Sequence, residues 1–170
     1  MTLAELNGLP PDAAAERLRA CCGSSRWVRA MLDQRPFASV EELLAAAAEV
    51  WSRTTPEDRE EAFGHHPRIG QGRAPTAVSR AAAAWSAGEQ RGVAGADEVT
   101  RRAMADGNAA YQRRFGRVYI VCATGKSAAD LLADLRARLA NHPDRERTVA
   151  AAEQEKITAL RLQKLIQEPA

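Results

Sequence analysis

Helix start and stop signals divide most of this chain into short segments, and they constrain the fold more than any other feature of the sequence. Ser39 and Glu42 form a capping-box pattern before "VEELLAAAAEVW", and Ser127 and Asp130 form another before "AADLLADLRARLAN". Other helix starts carry a proline or a short polar cap: Pro11-Asp12, Ser24 or Ser25, Thr55-Pro56, Asp97 and Pro143-Asp144. The sequence therefore predicts an all-α fold, a single domain over residues 1–170 built as a bundle of about seven to nine helices.

The apolar residues of these segments indicate what kind of core they form. Hydrophobic residues make up 45% of the chain but aromatic residues only 5%, and alanine dominates. A chain of this length can bury a core without disulfides or metal ions. We therefore expect helices that pack closely through small side chains and leucines. In the last helix, five residues are predicted to line one face: Val149, Ala152, Ile157, Leu160 and Leu165.

The run "VYIVCA", residues 118–123, is short, apolar and rich in β-branched residues. A buried extended segment or the entry to a helix would both suit it. Periodicity cannot distinguish the two in so short a run, and both interpretations stay open.

Charge and cysteine content exclude several classes of protein. The formal net charge is +2, so no strongly charged partner is indicated. Cys21, Cys22 and Cys122 form no CxxC pair, which favours a reducing compartment over a disulfide framework. The first residues lack the regions of a signal peptide, and no apolar run approaches the roughly 20 residues of a membrane span. We expect a cytoplasmic protein that binds neither membrane nor nucleic acid.

The segment "HHPRIGQGRAP", His65–Pro75, interrupts the predicted helices with prolines and glycines. Because His66 precedes Pro67, its backbone is disfavoured in the helical region. A histidine in such a turn can project its imidazole into a cleft, and imidazole is the side chain best suited to proton transfer near pH 7. An ordinary exposed histidine is the alternative, and these residues alone leave both open.

A metal site is not predicted at this segment. Adjacent side chains such as His65 and His66 point in different directions, and neither an HExxH pattern nor a cysteine pair supplies further ligands. The third histidine, His142, lies in a distant predicted loop.

"SAGEQ", residues 86–90, is a second candidate site. Ser86 lies three residues before Glu89 and four before Gln90, so the three side chains can share one helical face. That face would offer a hydroxyl, a carboxylate and an amide to a small polar ligand. Gly88 would permit the ligand to approach closely. A solvated helix end is the competing interpretation.

Arginines supply the alternative function. The pairs Arg101-Arg102 and Arg113-Arg114 could contact the phosphates of nucleic acid in an all-α regulator, although solvated helix faces explain such pairs more often. The near-neutral charge and the lack of a clear helix-turn-helix count against a regulator. Arg161 differs, because it lies in the otherwise apolar "ALRLQKL", where a partly buried arginine needs a carboxylate partner or an anionic ligand.

Six motifs together resemble those of a known family. They are "RWVRAMLDQRPF", "HHPRIG", "SAGEQ", "NAAYQRRFGRVYIVCATGKSA", "LRARLANHPDRE" and "EKITALRLQKL", in this order over nearly the whole chain. The chain resembles the 2-oxo-4-hydroxy-4-carboxy-5-ureidoimidazoline (OHCU) decarboxylase family. The resemblance implies an all-α bundle, often a homodimer, that needs no cofactor. It also implies decarboxylation of OHCU to (S)-allantoin, the last step in the conversion of uric acid to allantoin.

The resemblance further implies roles for individual residues. It places the catalytic histidine at His66 and a catalytic acid at Glu89. Substrate-binding positions fall on Pro67, Ser86, Gln90, Tyr119, Ile120, Val121, Cys122, Ala123 and Arg161. In the segment from Tyr119 to Ala123 the expected contacts come from the backbone. The chain departs from the family at Arg117, where relatives often have an apolar or aromatic residue, and we expect this to affect pocket shape or solubility more than chemistry.

Overall fold

The fold consists of helices joined by irregular segments. The computed structural model describes residues 1–70, 80–90 and 95–167, and these ranges contain no strand. Their helices are α1 (Leu3–Gly8), α2 (Pro11–Cys21), α3 (Ser25–Asp33), α4 (Val40–Ser52), α5 (Pro56–Gly64), α6 (Arg80–Glu89), α7 (Glu98–Phe115), α8 (Ala128–Arg138) and α9 (Pro143–Gln167). Nine helices within the described ranges confirm the all-α prediction. Residues 71–79, which include the end of the irregular segment and the predicted start of α6, lie outside the described residues.

Capping residues begin several helices as the sequence predicts. Before α8 the capping box is complete, since Ser127 Oγ accepts from the Asp130 N–H at 3.2 Å and Asp130 Oδ2 accepts from the Ser127 N–H at 3.1 Å. Before α4 the box is only half formed. Ser39 Oγ accepts from the Glu42 N–H at 3.1 Å, but the Glu42 carboxylate accepts from the Ala38 N–H instead of the N-cap amide.

Helix α1 is absent from the sequence-based prediction, although its own capping box signals it. Thr2 Oγ1 accepts from the Glu5 N–H at 3.2 Å, and Glu5 Oε2 accepts from the Thr2 N–H at 2.6 Å. With six residues, the helix is too short for hydrophobic periodicity to detect.

Two glycines define where α7 ends and how closely it packs. Gly116 has a φ of 74°, and it ends the helix in the left-handed conformation that glycine adopts without steric cost. A Cβ atom at Gly107 would lie 2.7 Å from Leu135 Cδ2, so the missing side chain lets α8 approach α7 closely.

The chain divides into two compact units. Unit one comprises the residues up to Ala62 and those from Glu155 onward, and unit two comprises Phe63–Gln154. Helix α9 therefore contributes its first residues to unit two and its last ones to unit one. That residues 1–170 form one domain stays a prediction.

In unit one, α3 packs against both α2 and α4. Trp27 of α3 is fully buried, and its indole Nε1–H donates to the Ala47 carbonyl of α4 at 3.1 Å. The prediction of a core made of small side chains and leucines is incomplete. Across both units, seven aromatic side chains are buried among the described residues: Trp27, Phe37, Trp51, Phe63, Trp85, Tyr111 and Tyr119. Because each aromatic ring buries far more apolar area than an alanine, a few of them suffice to fill the core.

In unit two, α7 packs against α8. The apolar core there contains Ile69, Met104, Tyr111, Tyr119, Val121, Ala123, Ala128, Leu131 and Leu135. The rings of Tyr111 and Tyr119 meet edge to face, with centroids 5.4 Å apart. The run "VYIVCA" thus contributes to the core as an irregular segment that is neither a helix nor a paired strand.

A buried ion pair joins α8 to α9 within unit two. Glu146 Oε1 accepts from Arg138 Nε at 2.8 Å and from the Tyr111 hydroxyl at 2.5 Å, and Glu146 Oε2 accepts from Asn141 Nδ2 at 2.7 Å. Arg138 Nη1 also donates to the Ile120 carbonyl at 2.7 Å. Burial alone would lower the pKa of Arg138, but the hydrogen bond and charge of Glu146 outweigh it and raise that pKa. The guanidinium therefore stays charged inside the core.

Helix α9 buries only part of its predicted face, since Ile157 and Leu165 are buried as expected and Leu160 is half-buried. Ala152 is exposed and Val149 is only half-buried, so the predicted face is wrong at Ala152. The buried positions of α9 within unit two are Glu146, Ala150, Ala151, Glu153 and Gln154. Glu153 and Gln154 lie seven and eight residues after Glu146, which places the three polar side chains on one side of the helix.

No helix in the described part of the chain is long and apolar enough to cross a membrane.

Replacing Arg138 with Met should destabilise the protein by about 3–5 kcal/mol, because the buried carboxylate of Glu146 would lose the cation that offsets its desolvation. Arg136→Met is the matched control, since Arg136 lies exposed on the same helix. It should change the free energy of unfolding by less than about 0.5 kcal/mol. Urea unfolding followed by circular dichroism measures both variants, and equal losses would contradict the role given to the ion pair.

Candidate active site

The turn from His66 to Gly70, here called the histidine turn, is held by side chains from neighbouring helices. Helix α5 ends at Gly64, the proline after His66 disfavours helical backbone at the histidine, and Gly70 adopts a left-handed φ of 80°. The Gly70 N–H donates to Gln90 Oε1 at 3.0 Å. The Ile69 carbonyl accepts from Asn108 Nδ2 of α7 at 2.8 Å. Two carboxamides thus satisfy the backbone groups of a segment that has no secondary structure to satisfy them.

Two further carboxamides hold side chains of the histidine turn. Arg68 Nη2 donates to Gln112 Oε1 of α7. The His66 ring Nε2 lies 2.7 Å from Gln154 Oε1 of α9. His66 is only 9% exposed and Gln154 is fully buried, so the histidine is no ordinary exposed residue. All four side chains that hold the turn are neutral, and their hydrogen bonds do not depend on their own ionisation.

The "SAGEQ" residues end α6 next to this turn. Ser86 is buried, whereas Glu89 and Gln90 are half-buried. Glu89 is the last residue of the helix, and Gln90 lies in the turn that follows, with its N–H donating to the Ser86 carbonyl at 3.1 Å. Ser86 and Glu89 therefore lie on the helix, whereas Gln90 lies just beyond its end. Gln90 instead uses its side-chain oxygen to hold Gly70.

The segment from Tyr119 to Ala123 is fixed by its backbone. The side chains of Tyr119, Ile120, Val121 and Ala123 are buried, so only backbone groups of these residues are suited to meet a ligand. Three of the segment's backbone groups are already used within the protein, and one of them is the Ala123 carbonyl, which accepts from the Lys126 N–H at 3.1 Å. The Ile120 carbonyl accepts from Arg138, and the Cys122 N–H donates to Glu153 Oε2 at 2.8 Å.

Carboxylates concentrate near Cys122. Burial raises the pKa of the Cys122 thiol, and the charges of Glu153 and Glu89 raise it further. Lys126 Nζ lies 3.9 Å from Glu153 Oε2 and offsets part of this negative charge. The charge of Glu89 therefore acts on the Cys122 thiol, and a catalytic role for Glu89 stays a prediction.

Arg161 belongs to unit one, whereas the other predicted site residues belong to unit two. It is 4% exposed, and its Nη1 donates to the Ala20 carbonyl at 3.3 Å. Its charge also acts on Cys22, whose pKa burial raises to about 12. A role for Arg161 in substrate binding stays a prediction.

Arg117, where the sequence departs from the family pattern, places its guanidinium 5.9 Å from the centre of the Phe63 ring. This is cation–π distance, so Arg117 contacts a buried aromatic ring of the same unit. Among the residues that the structure describes, no group of three or more His, Cys, Asp and Glu side chains could hold a metal ion.

Glu153 and Gln154 hold the site, and neither is predicted from the sequence. Both are buried polar side chains on α9. Hydrophobic periodicity assigns such residues to solvent and so misses them. No local pattern in the sequence marks either of them as buried.

The sequence profile of the family described as OHCU decarboxylase matches residues 7–163. The chain is 33% identical over 160 residues to the uric acid degradation bifunctional protein TTL of Arabidopsis thaliana, an alignment that covers 94% of this chain and 49% of that protein. It is 35% identical over 139 residues to the 2-oxo-4-hydroxy-4-carboxy-5-ureidoimidazoline decarboxylase of Amia calva, covering 80% of this chain and 77% of the relative. The chain thus spans about half the length of the Arabidopsis protein.

Solved structures give the same result. A crystal structure of OHCU decarboxylase in the presence of (S)-allantoin matches with a TM-score of 0.76 and 31% identity, covering 90% of this chain and 99% of that one. A crystal structure of (S)-allantoin synthase matches with a TM-score of 0.73, covering 98% of this chain and 54% of that one. At 19% identity, the second match shows the fold alone. Sequence profile, relatives and fold agree, and this chain belongs to the OHCU decarboxylase family.

Proposed function

We propose that this protein decarboxylates OHCU to (S)-allantoin without a cofactor, as the final step from urate to allantoin. The observation that carries the proposal is the buried imidazole of His66, held by Gln154 at 2.7 Å in a turn that three other carboxamides fix. An imidazole held in this way is suited to deliver a proton from a fixed position. Family membership and the names of the relatives support the substrate.

The substrate itself explains why no cofactor is needed. Its carboxylate and its hydroxyl share one ring carbon, and the neighbouring ureido-bearing carbon is part of a C=N bond. As carbon dioxide leaves, the electron pair of the broken C–C bond forms a C=C bond to the ureido-bearing carbon, and the π pair of the C=N bond moves onto its nitrogen, which takes up a proton. In the resulting enol, the ureido-bearing carbon must then take up a proton from one face, while the hydroxyl loses its proton to become the carbonyl of the (S) product.

His66 is the proton donor in this proposal, and Glu89 supports it. A carboxylate beside an imidazole favours the charged imidazolium, which is the form that can protonate the intermediate. Glu89 and Glu153 also concentrate negative charge near Cys122. A substrate carboxylate bound there would be repelled, and the repulsion would be relieved as carbon dioxide leaves.

Positioning accounts for the remaining residues of the site. Pro67 fixes the histidine turn, and Ser86 and Gln90 with backbone groups of Tyr119–Ala123 would hold the ring and the ureido group. Positioning of this kind contributes roughly 7–11 kcal/mol in favourable cases, and general acid catalysis roughly 10²–10⁴-fold. A contact of Arg161 with the substrate carboxylate, assembly as a homodimer and a cytoplasmic location are further parts of the proposal.

A nucleic-acid-binding regulator has less support. Arg101 Nη2 pairs with Glu98 Oε2 at 2.7 Å, and Arg114 Nη2 donates to the Asn141 carbonyl at 3.1 Å. These contacts fit the solvated helix faces that the sequence favours for the paired arginines.

Adding the purified protein to OHCU, formed in place from urate by urate oxidase and hydroxyisourate hydrolase, tests the proposed function. Circular dichroism should show (S)-allantoin accumulating at a rate proportional to the protein concentration. Decay of the substrate at the uncatalysed rate, with racemic product, would contradict the proposal.

His66→Asn should leave the fold intact and lower the rate of decarboxylation by at least about a hundredfold, the low end for a lost general acid. His65→Asn is the matched control and should have a mild effect, because the resemblance places only the second histidine in the site. The same assay measures both variants. Equal losses would show that the assignment within the pair is wrong.

The residual reaction of His66→Asn should give allantoin with a smaller (S) excess, because the group that protonates one face is gone. Chiral chromatography of freshly formed product, before it racemises, measures this excess. His65→Asn should keep the full (S) excess. If His66→Asn kept it as well, another group would deliver the proton and His66 would only bind substrate.

Alkylation of Cys122 tests where Glu89 lies. Cys21 and Cys22 are at most 1% exposed, so Cys122 should be the thiol that reacts with iodoacetamide in the native protein. The pKa of this thiol lies above its ordinary value of 9.0, so the thiol should react slowly below pH 9.0. Glu89→Gln removes one of the charges that raise this pKa and should accelerate alkylation severalfold at a fixed pH. Glu98→Gln, at an exposed position, should leave the rate unchanged, and mass spectrometry measures both. An unchanged alkylation rate in Glu89→Gln would show that Glu89 does not lie near Cys122.

A further inference from the structure

The contact between His66 and Gln154 determines more than the position of the imidazole. Gln154 is fully buried, and its amide oxygen lies 2.7 Å from the His66 Nε2 atom. A carbonyl oxygen can only accept a hydrogen bond, so Nε2 must carry the proton of this bond. In the neutral ring that proton defines the tautomer, and Nδ1 is then the unprotonated nitrogen.

We propose that Gln154 is a positioning residue that keeps a proton on Nε2 of His66 in both charge states, so that the proton exchanged with the substrate is the one on Nδ1. The proposal deepens the proposed function and rests on it, because it assigns the acidic proton of the same histidine. Gln154 does not touch the substrate in this scheme. It acts by selecting the tautomer and the ring orientation.

The neutrality of Gln154 is part of its suitability. A carboxylate in its place would also accept from Nε2–H, but it would add a third negative charge to a region that already contains Glu89 and Glu153. The proposed substrate is itself a carboxylate, so a further negative charge would oppose its binding. A carboxamide provides the acceptor without the charge.

Gln112 offers a matched comparison. It is also a glutamine that holds the histidine turn through its side-chain oxygen, but it bonds to Arg68 and not to the imidazole. Loss of Gln112 should loosen the turn without changing which ring nitrogen carries the proton. A merely structural role for Gln154 predicts the same behaviour for both glutamines.

Nitrogen-15 NMR of the imidazole rings tests the proposal directly in the wild-type protein. The chain has three histidines, so His65→Gln and His142→Gln suffice to assign the signals. Spectra are recorded at increasing pH until the nitrogen shifts of each ring stop changing, so that each ring is observed in its neutral form. His66 should show a protonated Nε2 and an unprotonated Nδ1. A proton on Nδ1, or an exchanging mixture like that of free histidine, would overturn the proposal.

Variants at position 154 then connect the tautomer to catalysis. Gln154→Met keeps the length of the side chain but removes the acceptor. It should give a mixture of tautomers and lower kcat about tenfold or more, with KM changed by less than about twofold. Gln154→Glu restores an acceptor and should restore the Nε2–H tautomer. Gln112→Met should keep the tautomer, and its loss of kcat should be smaller than that of Gln154→Met.

Two results would overturn the assignment: an unchanged tautomer in Gln154→Met, or equal losses of kcat in Gln154→Met and Gln112→Met. Circular dichroism and thermal unfolding check that each variant folds. If a variant does not fold, the NMR spectrum of the wild-type protein still decides the tautomer. The NMR result does not depend on turnover. Failure of the wild-type protein to convert OHCU would therefore refute the proposed function and leave the protonation of His66 as a separate, measured fact.

Discussion

The buried pair of Arg138 and Glu146 is the interaction on which the order of unit two depends. Removing two charges from water is costly, and only close hydrogen bonding and mutual attraction offset that cost. Here the desolvation cost is offset because the Glu146 carboxylate also accepts hydrogen bonds from Tyr111 and Asn141. Such a pair adds little net stability over apolar side chains of equal volume. It adds a specific arrangement of α7, α8 and α9, because any packing that separated the charges would leave both unpaired.

This arrangement reaches the candidate site through backbone groups. The segment from Tyr119 to Ala123 has neither helix nor strand to satisfy its amides, so side chains do it. Arg138 holds the Ile120 carbonyl, and Glu153 holds the Cys122 N–H. The histidine turn has the same problem and a similar solution, with carboxamides in place of charges. Both irregular segments are therefore fixed before a ligand arrives, so little reorganisation is required during the reaction.

How much of this could be predicted from the sequence depends on the kind of signal. Caps such as Ser127 and Asp97 act locally, and the helices that they begin were predicted correctly. His66 could be singled out because a proline follows it, which is again a local effect. Gln154 could not, because the partner that makes it important lies 88 residues away in the chain. A polar residue on a helix gives no sign in the sequence that it is buried.

The same limit explains the error on α9. Its predicted face ran through Val149, Ala152, Ile157, Leu160 and Leu165, since apolar residues normally mark the buried side, and it is wrong at Ala152. The helix also buries Glu146, Glu153 and Gln154, each of which has a partner in the core. Sequence patterning assumes that polar residues seek water, and it fails where polar residues are satisfied inside the protein.

The spacing of these three residues limits how the length of the chain can vary. An α-helix turns by about 100° and rises by about 1.5 Å for each residue. One residue inserted between Glu146 and Glu153 would therefore turn Glu153 and Gln154 away from Cys122 and His66 together, while Glu146 kept its hold on Arg138. A residue inserted in the loop before α9 would leave the spacing within the helix unchanged. The number of residues between Glu146 and Gln154 is thus set by the chemistry of the site, whereas the length of the loop before α9 is not.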